Sequence, residues 1–205
     1  TFWDTAEGYK THAHVRKGLE GFDRRQVVLA TKTPAKTAEE ASTGLARYLE
    51  ELGTDYLDLV HLHGVDTPDE FVSRRGAGEV LREARAKGII RAIGLSTHSV
   101  ATARVLPELA DEGVEAALVV LNKTGHDLAG GTMTEMELAV EKASARGLGI
   151  YTMKVFGQRK SLADHSPEEL LAHNLALPYV HSLVVGMNTI AELEQNVEIV
   201  NRLDG

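Results

Sequence analysis

The sequence predicts an α/β fold, a (β/α)8 TIM barrel whose first βα unit is missing. Three observations carry that expectation. Short runs rich in Val, Ile and Leu alternate with longer segments of helical spacing, the mark of βα units. The runs are nearly continuous in apolar residues, as strands of a parallel sheet buried on both faces are. The rival, an open doubly wound sheet, carries a Gly-rich phosphate turn after an early strand, and G-x-G-x-x-G occurs nowhere in the chain.

Seven strands are expected in order: "TFWDT" (1–5), "QVVLATK" (26–32), "YLDLVHLH" (56–63), "IRAIGLS" (90–96), "AALVVLN" (116–122), "GIYTMKV" (149–155) and "SLVVG" (182–186). After them come amphipathic helices over 12–20, 37–52, 74–87, 100–112, 134–146, 167–176 and 189–203. The third helix closes with Gly88, a natural stop before the next strand. Seven units are one short of a closed barrel, and a missing stave leaves two free edges in a buried sheet. Thr1 then stands at what would be the second strand, so a chain incomplete at its N-terminus is expected. With no linker, repeat or low-complexity segment, residues 1–205 read as a single domain.

The chain has 205 residues, 43% hydrophobic and 25% charged, enough for one sizeable core. Its net charge is −8 and its Lys and Arg residues are scattered, which argues against nucleic acid as a partner. Cysteine is absent, so disulfides, thiolate catalysis and iron–sulfur ligation are excluded within these residues; a reducing, cytoplasmic setting fits. No run approaches the ~20 apolar residues that span a bilayer, so no membrane association is expected. No metal site is expected either, because His12 and His14 lack further partners at ligand spacing. No segment specifies an oligomeric state.

In a (β/α)8 barrel the chemistry gathers at the carboxyl ends of the strands. The first three runs end in Asp4, Lys32 and His63. Alternation along a strand places Phe2 with Asp4, Ala30 with Lys32, and His61 with His63. Each strand thus offers one ionisable group at the same level, with His61 one layer below as a core or supporting residue. Tyr9 follows Asp4 after a short loop that turns it over the same mouth. These four make a coherent proton donor: a free phenol, with a pKa near about 10, is a weak acid at neutral pH, and a nearby ammonium lowers that value. Asp4 would hold the lysine, and His63 would orient and polarise a carbonyl oxygen.

At these residues the chain resembles the aldo-keto reductase superfamily. "FWDTAEGY" is similar to its F-D-T-A strand end and following Tyr, "VLATK" to its Lys strand, "DYLDLVHLH" to its His strand and "IRAIGLS" to its I-G-x-S strand. The likeness runs through the whole chain, and "STHS" with "MKVFGQ" looks most like a bacterial branch. The resemblance implies a TIM barrel and reduction of a small aldehyde or ketone by a nicotinamide cofactor, with Tyr9 as general acid and Asp4, Lys32 and His63 in support. It also implies a cofactor set of Ser96, Asn122, Met153, Lys154, Gly186, Asn188, Glu192, Gln195 and Asn196. Thr97 stands where the family has Asn, and "MKVFG" where many members have Y-S-P-L-G. NADP is the family default. Glu192 falls where many NADP-preferring members carry Arg, and a carboxylate there suits the free ribose hydroxyl of NAD instead. The alternative reading is a nicotinamide-binding sensor or partner subunit with little turnover.

Overall fold

A computed structural model describes residues 1–203. Seven parallel strands form one sheet in sequential order: β1 (Phe2–Asp4), β2 (Val28–Thr33), β3 (Leu57–Leu62), β4 (Ile90–Thr97), β5 (Ala116–Val120), β6 (Gly149–Met153) and β7 (Ser182–Leu183). Sequential parallel pairing curls the sheet into a nearly closed barrel, and the fold is the (β/α)8 barrel lacking one unit. Because all strands are parallel, every carboxyl end opens on one mouth.

Eight helices follow the strands: α1 (His12–Leu19), α2 (Ala38–Leu52), α3 (Pro68–Ser73), α4 (Arg75–Ala86), α5 (Val100–Leu109), α6 (Met133–Ala145), α7 (Pro167–Leu175) and α8 (Ile190–Leu203). Their ends are written locally. Thr37 and Glu40 form a reciprocal capping box at the start of α2, as do Thr132 and Glu135 at α6 and Ser166 and Glu169 at α7. Gly53, at φ 65°, closes α2 in the left-handed conformation that a glycine adopts without strain.

Two apolar layers line the faces of the sheet, and a third cluster gathers Val155 and Phe156 with Leu170, Leu171 and Ile199 of α7 and α8. The larger layer packs helices against the outer sheet face through Leu29, Leu57, Leu81, Leu106 and Val140; the inner layer includes Ala30, Leu118, Val120, Tyr151 and Met153. Burying each large side chain stabilises by about 1.5–3 kcal/mol.

The strand and helix order agrees with the sequence reading, with three local differences. A helix over Pro68–Ser73 appears where the sequence reading has a connection; Thr67, Glu70 and an N-terminal Pro start it. The sixth strand stops at Met153 because Lys154 turns to φ 63°, and an irregular 3-10 segment, Gly157–Ala163, follows. The seventh pairs over only Ser182–Leu183, having a neighbour on one side only. Among the described residues no helix is long and apolar enough to cross a membrane.

Candidate active site

Asp4 closes β1, and the 3-10 turn Glu7–Tyr9 then brings Tyr9 over the strand ends. Lys10, at φ 57°, ends that turn. On β2, Asp4 is level with Ala30, so Lys32 lies one pleat further toward the mouth. Lys32 is 0% exposed, and its ammonium donates to Asp4 Oδ2 at 2.5 Å and to the Thr5 carbonyl at 2.8 Å. An ammonium so desolvated is tolerated only with such partners. Its Nζ lies 4.9 Å from the centre of the Tyr9 ring. His63 follows β3, its amide donating to the Thr33 carbonyl, and its ring meets Tyr9 edge-on at 5.8 Å. Asp4, Tyr9, Lys32 and His63 are therefore brought together.

Burial governs their protonation. It raises the Asp4 carboxyl and lowers the Lys32 ammonium, while the attraction between the two opposes both shifts. Burial, then the charges of Lys32, His98 and Arg74, lowers His63 to about 4, so its imidazole is neutral at pH 7. Tyr9 departs from the sequence expectation: its phenol is raised, by burial first and then by Asp4. The ammonium expected to lower it gives its hydrogen bonds to Asp4 and Thr5, so its attraction for the phenolate is outweighed by burial and by the Asp4 carboxylate.

A cavity of about 470 Å³ opens over this cluster. Of the predicted cofactor residues, Ser96, Met153, Lys154, Gly186 and Asn188 line it. Ser96 Oγ accepts from the Gly64 amide at 2.9 Å. The others lie elsewhere. Asn122 spends its side chain on its own loop, donating to the His126 carbonyl at 2.9 Å and accepting from the Thr124 amide and hydroxyl. Gln195 is exposed on α8, and Asn196 is buried beside a separate groove lined by Phe2, Asp4, Leu193 and Val197. Glu192 has no free oxygen of the kind expected for a ribose. Its Oε2 accepts from the Asn188 amide at 2.7 Å, capping α8, and its Oε1 accepts from Arg159 at 2.8 Å. Those two donors hold its pKa down, the amide first.

Four residues the sequence reading passed over belong to the site. His98 lines the cavity, two positions beyond Ser96, with its amide donating to Asp66 at 2.7 Å. Its ring, with Nδ1 3.6 Å from Oδ1, and its amide draw the Asp66 carboxyl down to about 2. Phe156 and Arg159 reach the cavity from the irregular segment after β6, and the basic pair Arg159–Lys160 was the signal for the latter. Tyr151 lies beneath, donating to Asp4 Oδ1 at 3.1 Å; inside an apolar run it carries no signal. His12 is structural, bridging Glu51 and Thr31 at 2.6 and 3.0 Å. Among the described residues no group of three or more side chains could hold a metal ion.

Known proteins share this fold. A family model described as the Aldo/keto reductase family matches residues 1–160. Aldo-keto reductase YhdN of Bacillus subtilis is 35% identical over 118 residues, 49% of this chain and 34% of that protein. Methylglyoxal reductase DkgB of Salmonella typhimurium is 27% identical over 179 residues, 85% of this chain and 64% of that protein. The matches thus span about a third and just under two thirds of these curated relatives. Among solved structures, the Pseudomonas aeruginosa protein PA4992 aligns with a TM-score of 0.81 at 21% identity, over 100% of this chain and 78% of its own. Aldo-keto reductase AKR11C1 of Bacillus halodurans, in its holo form, aligns with a TM-score of 0.76 at 21% identity, over 97% and 75%. At such identities these structures speak for the fold.

Proposed function

The chain belongs to the aldo/keto reductase family, whose members are generally oxidoreductases acting on carbonyls, and we propose that it reduces a small aldehyde or ketone to an alcohol with NADH or NADPH. The observation that carries this reading is the buried Lys32–Asp4 pair set beneath Tyr9 and beside His63 at the floor of the cavity.

The cavity suits a dinucleotide. Met153, Val184 and Phe156 give it an apolar wall for a flat ring, Ser96 a hydroxyl for an amide, and Lys154 a cation for a phosphate. When bound, the nicotinamide supplies the hydride that no side chain can. The chain's own groups do the rest. Neutral His63 donates a hydrogen bond to the substrate carbonyl and fixes its orientation. Tyr9 gives its hydroxyl proton to the developing alkoxide, and the Lys32 ammonium, anchored by Asp4, stabilises the phenolate left behind. The raised phenol of the free chain fits a group that stays protonated until hydride arrives. Because the Glu192 carboxylate neutralises Arg159, NADH ranks ahead of NADPH.

The test is turnover of the purified chain with each nucleotide and a panel of small carbonyls, methylglyoxal first because one relative bears that activity in its name. Tyr9→Phe is expected to lower kcat by at least about 100-fold with nucleotide binding retained. A second reading, a nicotinamide-holding subunit with little turnover, draws on the Tyr9 hydroxyl, which has no hydrogen-bond partner among the described residues. Tight binding without reduction of any carbonyl would select it.

A further inference from the structure

Behind Asp4 sits a tyrosine that the proton donor itself does not include. Tyr151, on β6, is 3% exposed; its hydroxyl donates to Asp4 Oδ1 at 3.1 Å and meets His61 Nε2 at 3.1 Å. A phenol has one proton to give. With that proton on Asp4, the Tyr151 oxygen accepts from His61, which fixes the imidazole as the Nε2–H tautomer. His61 is 0% exposed and its Nδ1 has no partner among the described residues. The next strand leaves space for its ring: a Cβ added at Gly94 would lie 2.7 Å from His61 Nε2. Asp4 therefore gives Oδ2 to Lys32 and Oδ1 to Tyr151.

We propose that Tyr151 and His61 are positioning residues for the Asp4–Lys32 pair. Their hydrogen-bond chain locks the rotation of the Asp4 carboxylate and keeps it ionised, so that Lys32 stays where its ammonium acts on Tyr9. The proposal rests on reading Tyr9 as the acid.

A desolvated carboxylate needs donors at both oxygens, and the Lys32 ammonium reaches only Oδ2. Without the phenol on Oδ1, taking up a proton becomes the cheapest remedy, and a neutral Asp4 no longer balances the buried Lys32. Filling space would not require the hydroxyl. Phe2 lies 4.9 Å from the Tyr151 ring, Leu118, Val120 and Val184 pack in the same layer, and phenylalanine would satisfy them all. The titratable groups near Asp4 and Tyr151 are Lys32 on β2, His61 and His63 on or just beyond β3, and Tyr9; the inner face of β5 and the chain beyond β7 contribute the apolar Ala116, Leu118, Val120 and Val184.

The test is to follow the Asp4 carboxyl carbon by NMR through a pH titration in the parent chain and in Tyr151→Phe, alongside the pH profile of kcat. In Tyr151→Phe the Asp4 midpoint should rise by about one unit, and the low-pH limb of kcat should move the same way, with the KM for the nucleotide unchanged. His61→Leu removes the second link and leaves the first. It should move Asp4 in the same direction by less, and it carries the test if Tyr151→Phe does not fold. An unchanged Asp4 midpoint in the folded variant overturns the proposal, as does a shifted midpoint with an unchanged kcat profile. If the midpoint shifts and even the parent chain reduces no carbonyl, the effect on Asp4 stands and the reductase reading falls.

Discussion

The barrel wall has two unlike regions. From β2 to β5 the strands run six, six, eight and five residues and are almost wholly buried. At the seam, β1 has three residues and β7 two, all half-buried. Composition does not explain the contrast. "SLVVG" is as rich in β-branched residues as "AALVV", yet only Ser182 and Leu183 join the ladder while all of Ala116–Val120 do. Strand length here follows from having neighbours on both edges, and propensity is secondary. The site straddles the two regions: Lys32, His63 and Ser96 come from the arc, Asp4, Tyr9, Gly186 and Asn188 from the seam.

The bond between the regions is the Lys32–Asp4 pair, and cutting it should have the largest effect. Lys32→Met leaves the Asp4 carboxylate without its cation, at an expected cost of about 3–5 kcal/mol by urea unfolding, and turnover should vanish with it. A loss confined to turnover would mean the seam does not depend on the arc. Next come truncations within each region. Leu57→Ala, in the arc and 0% exposed, should cost about 2–5 kcal/mol, whereas Leu193→Ala, 44% exposed beside the seam, should stay within about 0.5 kcal/mol. Equal costs would break the contrast.

Acid should sharpen it. His63 is lowered from 6.5 to about 4, so the unfolded chain takes up a proton across that window before the folded chain does. The stability tied to it is complete above pH 6.5 and is lost as pH falls toward 4. His63→Gln should spare about 1–2 kcal/mol of that loss, allowing for its partial exposure, as read by thermal unfolding across a pH series. At the seam the sign reverses, because burial raises Asp4 and the folded state holds that proton more tightly than the unfolded one. Glu192→Gln, which frees Arg159 and loosens the α8 cap, should leave stability nearly unchanged and tilt relative affinity toward NADPH in a fluorescence titration.

What was legible in the sequence follows the same division. Asp4, Lys32 and His63 could be read because an ionisable group at the end of an apolar run is costly unless used, and alternation fixed their shared face. The seven units could be read from periodicity. Tyr151 could not, since a tyrosine inside an apolar strand looks like core until Asp4, 147 positions away, is seen beside it. Glu192 was read from its place in a motif, but its partners Arg159 and the Asn188 amide belong to a fold-dependent contact and a helix cap. Asn122 is similar: its amide closes a loop whose shape no spacing specifies. The helix at Pro68–Ser73 was present in local signals, a Thr, a Pro and a Glu at capping positions, and short length hid it.

The uniform direction of the strands has a practical corollary. All carboxyl ends face the cavity, so the turns that lead from helix back to strand gather at the opposite pole. Lys87, between α4 and β4, stands there with an exposed side chain. The chain has no cysteine, so Lys87→Cys would give it a sole thiol, a handle for tethering every molecule to a bead or electrode with its mouth turned outward.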